Sequence, residues 1–186
     1  SAGMLSREIE KRTVFLVMSR PISRQQFVVG RYLGMLMTLT TLLLAMTLLY
    51  GLQLLAFKVE PTAAMGAALL GLWVELWLLS ALGLLLSASA GQLVAALSCV
   101  GVYLMGHSSP DLFALSQRAD APLLAKVCRA LYAVVPNLDR LDYRVEASWS
   151  ASIDWREVLS SMATGAAWTV LFITIASLVF ARRDFR

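Results

Sequence analysis

Four stretches of this chain are long, apolar and almost free of charge: Leu33–Phe57, Ala63–Leu86, Ser89–Gly106 and Val158–Phe180. Between them they hold a single Asp, Glu, Lys or Arg, which is Glu75. At a rise of 1.5 Å per residue, about 20 residues of helix cross a hydrocarbon core of roughly 30 Å. Backbone in lipid must satisfy its own hydrogen bonds, so such segments fold as helices. The sequence therefore predicts an all-α polytopic transmembrane bundle. The third stretch is the shortest, and its start falls within the polar run Ser-Ala-Ser-Ala-Gly-Gln of residues 87–92.

Composition agrees: only 15% of the 186 residues are charged, against roughly 25% in ordinary globular chains, and mean hydropathy is +0.71. The net charge of +4 does not point to nucleic acid. The basic residues cluster beside the apolar stretches, where they set topology and meet lipid headgroups. Ser1–Tyr32 holds six basic residues (Arg7, Lys11, Arg12, Arg20, Arg24, Arg31) and two acidic ones (Glu8, Glu10). The tail, Ala-Arg-Arg-Asp-Phe-Arg, is also net positive, whereas the loop over residues 108–157 is nearly neutral, with six basic and seven acidic residues. The positive-inside rule then sets both ends in the cytoplasm and the long loop outside, which requires an even number of crossings. Four spans satisfy it.

Punctuation marks the boundaries. Pro21 stops an opening helix, because the residue before a proline avoids the helical region. Ser23 with Gln26 forms a capping box for the helix that runs into the first span. Pro61-Thr62 marks an outer turn, and Asp154 with Glu157 caps the last span. In the outer loop, Leu123, Leu124, Val127, Cys128, Leu131, Val134 and Val135 recur at helical spacing, with Lys126 and Arg129 elsewhere on the wheel. This predicts a short amphipathic helix, lying on the outer leaflet or capping the bundle and ended by Pro136-Asn137. Trp149, Trp155, Tyr132 and Tyr143 suit an outer interfacial belt. Cys99 falls in a span and Cys128 on the loop helix, so a structural disulfide is not expected.

The segment Arg7–Gly34 joins a basic amphipathic helix to the first span. Ile9, Thr13, Leu16 and Val17 form an apolar stripe widened by Phe15 and Met18, while Glu8, Lys11 and Arg12 form a charged face. Periodicity alone allows either a simple anchor or a transmission element. In order, the segment offers an acidic pair (Glu8, Glu10), Thr13, an apolar run (Val14–Met18), Pro21, Arg24 and Gly30-Arg31 entering a span. This order resembles the cytoplasmic coupling segment of type-2 ATP-binding-cassette (ABC) permeases, in particular the multicopper-enzyme-maturation branch. Two positions depart from that pattern: Arg12-Thr13 stands for the usual Gly-Thr, and Gly30-Arg31 for Gly-Lys. Val135-Pro-Asn-Leu138 and Phe180-Ala-Arg-Arg-Asp-Phe are similar to that family's loop and terminal motifs.

The resemblance implies a permease subunit of an ATP-driven transporter, an exporter, in a bacterial inner membrane. Residues 1–32 would be its coupling segment, 33–186 its last four spans, and two further spans would precede Ser1. Glu8, Glu10, Arg12, Thr13, Pro21 and Arg24 would contact a cytoplasmic ATP-binding subunit. That subunit would bind ATP and Mg, since this sequence holds no G-x-x-x-x-G-K-[ST] loop. A second permease copy, homodimeric or paired, and membrane lipids complete the implied partners. No enzymatic activity or metal site is expected of the chain itself, and its single histidine, His107, excludes a His-rich cluster. An ion-coupled secondary transporter and a non-transporting scaffold are the alternatives.

Glu75 is the sharpest single residue. A charge at a span centre costs about 2.5–3.5 kcal/mol on insertion scales. It must face the bundle or a wet cavity, or take up a proton. It is the candidate for the translocation path; otherwise it makes a structural hydrogen bond, for instance to a threonine of the first span. Gly30, Gly34 and Thr38 form a small-residue stripe suited to close helix packing, within the chain or across a dimer. Gly106-His107-Ser108-Ser109-Pro110 has proline where a nucleophile elbow needs its closing glycine, so a polar helix end accounts for it better than serine hydrolysis.

Overall fold

The computed structural model describes residues 24–118, 122–149 and 152–182. Every regular element among them is helical: α1 (Arg24–Ala56), α2 (Ala63–Ser89), α3 (Gln92–His107), α4 (Ser109–Arg118), α5 (Pro122–Val134), a 3-10 turn (Asp139–Leu141), α6 (Arg144–Ser148) and α7 (Trp155–Arg182). Three of them are long and apolar enough to cross a membrane: α1 over Gln26–Ala56, α2, and α7 over Trp155–Ala181. A fourth crossing results if α3 and α4, bent by 62° about Ser108, count as one broken span.

The expected punctuation is visible at several helix ends. α1 is described from Arg24 onward, and Ser23, and with it the Ser23–Gln26 box, lies outside the described residues. It closes as a Schellman motif: Lys58 N–H bonds Leu55 O (3.2 Å) and Val59 N–H bonds Leu54 O (2.9 Å). That motif needs a left-handed residue, and Lys58 supplies it at φ 54° where glycine is usual. Thr62 Oγ1 accepts from Met65 N–H, capping α2, and Asp154 Oδ1 accepts from Arg156 N–H (2.9 Å), capping α7.

By packing, the chain forms two units, Ser1–Pro61 with Leu76–Cys99 and Ala166–Arg186, and Thr62–Glu75 with Val100–Gly165. In the first, Phe27 of α1 stacks on the buried Phe180 of α7 (5.6 Å), and Tyr32 donates its hydroxyl to Trp77 O (3.1 Å). Leu78, Leu82 and Leu84 of α2 fill its interior. Ser80 and Ser87 are buried there, and their hydroxyls donate to carbonyls of their own helix, as a medium without water demands. Most of α1 stays exposed, and a methyl group added at Gly30 or Gly34 would meet nothing within 4 Å. The Gly30–Gly34–Thr38 stripe therefore makes no close packing within the described residues.

In the second unit, Ala67, Tyr143 and Val158 form a buried cluster flanked by Ala68, Ile153 and Met162. Tyr143 is therefore a core residue and not a belt residue: the chain between the 3-10 turn and α6 folds inward. Trp149 is 82% exposed and Trp155 is exposed as well, as a belt requires, while Tyr132 packs on Phe113 (5.2 Å). The outer-loop helix, α5, packs on α4. Only part of its apolar set is buried, namely Cys128 with Val135 just beyond it, and Leu123, Val127 and Val134 stay exposed.

The segment 135–143 is wedged against α2 and α3. Leu138 and Leu141 are fully buried, Leu138 N–H bonds Gly106 O (3.2 Å), and the carbonyl of Leu141 lies directly over Gly71. A Cβ at Gly106 would come within 2.7 Å of Leu138 Cγ and 2.9 Å of Pro136 O. Replacing Gly71 with alanine should thus cost about 1–3 kcal/mol through overpacking against backbone that cannot yield. Gly51→Ala, in open space on α1, should gain up to about 1 kcal/mol of helix propensity. Thermal unfolding in detergent or nanodiscs should separate the two variants by opposite shifts in Tm.

Candidate functional site

Along the first half of α2, the buried positions are Ala64, Ala67, Gly71 and Glu75. Their spacing of three, four and four keeps them on one face of the helix. Glu75 is therefore turned inward by the same stripe that receives the loop wedge, and it is only 3% exposed.

A buried carboxylate needs compensating charge and hydrogen bonds. The polar groups around it come from α3 and from the chain that opens α6. Glu75 Oε1 lies 3.5 Å from His107 Nε2, and Glu75 Oε2 lies 3.8 Å from Arg144 Nη2. At these separations the gross attraction of an ion pair is about 4 kcal/mol at an effective dielectric of 20. Desolvating the carboxylate costs several kcal/mol, so the pairing offsets a penalty more than it adds net stability.

Arg144 is held in place locally. Asp142 Oδ1 accepts from Arg144 Nε (2.7 Å) and from Arg144 N–H (3.1 Å), a clasp made possible by their spacing of two residues in an Asx-type turn. Tyr103 adds a side-chain hydrogen bond to the guanidinium. Burial alone would raise the Asp142 carboxyl above its ordinary value. The hydrogen bonds and charge of Arg144, aided by His107, outweigh burial and hold it below that value. The same hydrogen bond to Asp142 raises the pKa of Arg144 against the opposing effect of burial.

His107 closes the cluster. Its Nδ1 faces Tyr103 O (3.3 Å), and its ring lies tilted on the Tyr103 ring (4.5 Å). Nε2 faces Arg144 Nη2 at 3.3 Å, Glu75 Oε1 at 3.5 Å and Asp142 Oδ2 at 3.8 Å. Among the described residues, no group of three or more His, Cys, Asp or Glu is arranged to hold a metal ion.

The sequence singled out Glu75 and named a threonine of the first span as its structural partner; the partners found here are His107 and Arg144 instead. The threonines at 38, 41 and 47 spend their hydroxyls on α1 carbonyls four residues back. Ser109 is fully buried with its hydroxyl donated to Gly106 O (2.8 Å), and His107, expected as a polar helix end, is part of the Glu75 cluster. Asp142 and Arg144 were not singled out, although an Asp-x-Arg pair closing a loop opposite a lone buried acid was a usable signal. Glu146 Oε2 is buried without a hydrogen-bond partner. Of the expected coupling residues, Glu8, Glu10, Arg12, Thr13 and Pro21 lie outside the described residues, and Arg24 is the first residue of α1.

The depressed Asp142 pKa fixes the sign of a pH effect. Stability from its pairing with Arg144 is fully present above the ordinary carboxyl value of 3.8 and is lost as pH falls through the lower folded value. Asp142→Asn should lower Tm at neutral pH and flatten the acid limb of the Tm profile below about pH 4. Thermal scans over that range check it.

A family model described as ABC-2 family transporter protein matches residues 1–185. Comparison with curated proteins and with solved structures finds no match.

Proposed function

The chain belongs to the ABC-2 transporter family, a multi-pass membrane permease component of an ABC transporter, and from that premise we propose that it carries out ATP-driven export. The observation that carries this reading is the family match over nearly the whole chain, joined to spans whose one buried acid is ion-paired within the fold. Family membership implies association with an ATP-binding subunit. In our reading, that subunit binds ATP and Mg, and the segment 1–32 docks on it through Glu8, Glu10, Arg12, Thr13, Pro21 and Arg24.

The remaining assignments extend the same reading. Both ends face the cytoplasm of a bacterial cell, the loop 108–157 faces outward, and the last four spans lie in the inner membrane beside a second permease copy. The resemblance to the multicopper-enzyme-maturation branch supports this assignment at motif level, and His, Cys and Met clusters that would favour copper are lacking in the sequence. Glu75 borders the translocation route, held closed at rest by Arg144 and His107.

Affinity purification of the full-length protein from its host tests the coupling assignment. An ATP-binding subunit should co-purify, and the double variant Glu8→Lys, Thr13→Arg should lower its recovery at least tenfold, about 1.4 kcal/mol of binding. An undiminished complex overturns the assignment. For the route, Glu75→Cys in a Cys99→Ser, Cys128→Ser background should react with a membrane-impermeant maleimide during ATP turnover and not at rest. Absence of labelling in both states removes Glu75 from the path.

A further inference from the structure

His107 stands where its two protonation states call for different partners. In the neutral ring, Nδ1–H donates to Tyr103 O and the lone pair of Nε2 accepts from Arg144 Nη2. In the protonated ring, Nε2 carries hydrogen. The contact with Arg144 at 3.3 Å then sets donor against donor and cation against cation. The same proton points toward Glu75 Oε1 at 3.5 Å and Asp142 Oδ2 at 3.8 Å, both acceptors.

Charge counting favours such an exchange. With both carboxylates ionised, Glu75 and Asp142 are opposed by Arg144 alone, and one negative charge is left over among these buried and half-buried groups. Imidazole is the side chain whose ordinary titration falls between pH 5 and 8, so it is the group equipped to supply the missing positive charge. The groups facing it are Glu75 from α2, Tyr103 from α3, and Asp142 and Arg144 from the chain entering α6. The tight Asp142–Arg144 pair keeps both of those residues charged through this range.

We infer that the cluster is a proton-binding latch: one proton on His107 transfers Glu75 from Arg144 to the imidazolium and loosens Arg144, with α6 behind it, from α3, leaving the Tyr103 hydrogen bond as its remaining hold there. No bond other than N–H forms or breaks. Arg144 is already half exposed, so its guanidinium can turn to water without crossing the core. Asp142 remains clasped to it. The loop wedge at Gly71 and Gly106 is made by other residues and does not depend on the proton. What opens is therefore the α6 end of the loop.

His107 is the single histidine of these 186 residues, so 15N-histidine labelling of the full-length protein in nanodiscs, purified without a histidine tag, reports it through the signals that His107→Gln removes. At high pH the 15N shifts should identify the Nδ1–H tautomer; an Nε2–H tautomer overturns the latch. Arg144→Gln should tighten proton binding about tenfold and Glu75→Gln should weaken it about tenfold, one unit of midpoint each way. Shifts in the same sense, or none, refute the partner exchange. In the unaltered protein, the amides of Ala147 and Trp149, bonded to Tyr143 O and Val145 O, should exchange about tenfold faster in acid after correction for intrinsic chemistry. That acceleration should vanish in His107→Gln. Unchanged protection in the unaltered protein, or acceleration surviving that substitution, refutes release of α6.

Discussion

A single carboxylate inside an apolar helix organises the second unit of this protein. Glu75 cannot stay ionised in that setting without a cation, and no other Asp, Glu, Lys or Arg occurs in the apolar stretches. The cation comes from Arg144, in the long loop between the third and last apolar stretches, so the loop must fold inward far enough for it to arrive. That requirement accounts for the bare backbone surface at Gly71 and Gly106, for the buried Leu138 and Leu141, and for the burial of Tyr143. The apolar wedge supplies the energy of the arrangement, because the ion pair does little more than offset its own desolvation. The cluster in turn fixes where the wedge can sit.

Much of this was legible in the residues. Apolar length gave the helices, and Pro61-Thr62 and Asp154 gave their starts, because those signals are local and decided by sterics and capping. The amphipathic α5 was legible for the same reason, although its wheel could not tell a face buried by protein from one left exposed: Cys128 and Val127 are adjacent and equally apolar, yet one is buried and the other is not. The partner of Glu75 was not legible. Pairing it with Arg144 depends on a chain reversal at the 3-10 turn, a non-local event that periodicity does not encode. Tyr143 was misjudged on the same account, since an aromatic residue flanked by charges on both sides looks interfacial until the fold turns it inward.

α1 is the counterpart of this well-packed unit. It is long, apolar and largely uncovered, and its small-residue stripe makes no close packing among the described residues. The contacts that hold it are concentrated near its start, where Phe27, Val28 and Tyr32 meet α2 and α7. In a bilayer such a face costs nothing against lipid, and association there is governed by close packing and not by hydrophobic exclusion.

The Leu141 carbonyl over Gly71 has a consequence for how the chain moves. Sliding α2 along its axis by about one turn would bring the side chain of Ala67 or Glu75 under that oxygen, where even a methyl group does not fit. Rotation about the axis meets the same obstacle. The first half of α2 is thus keyed to the loop as a notch is keyed to a pawl, and any stroke that displaces residues 62–75 must carry residues 135–143 with it.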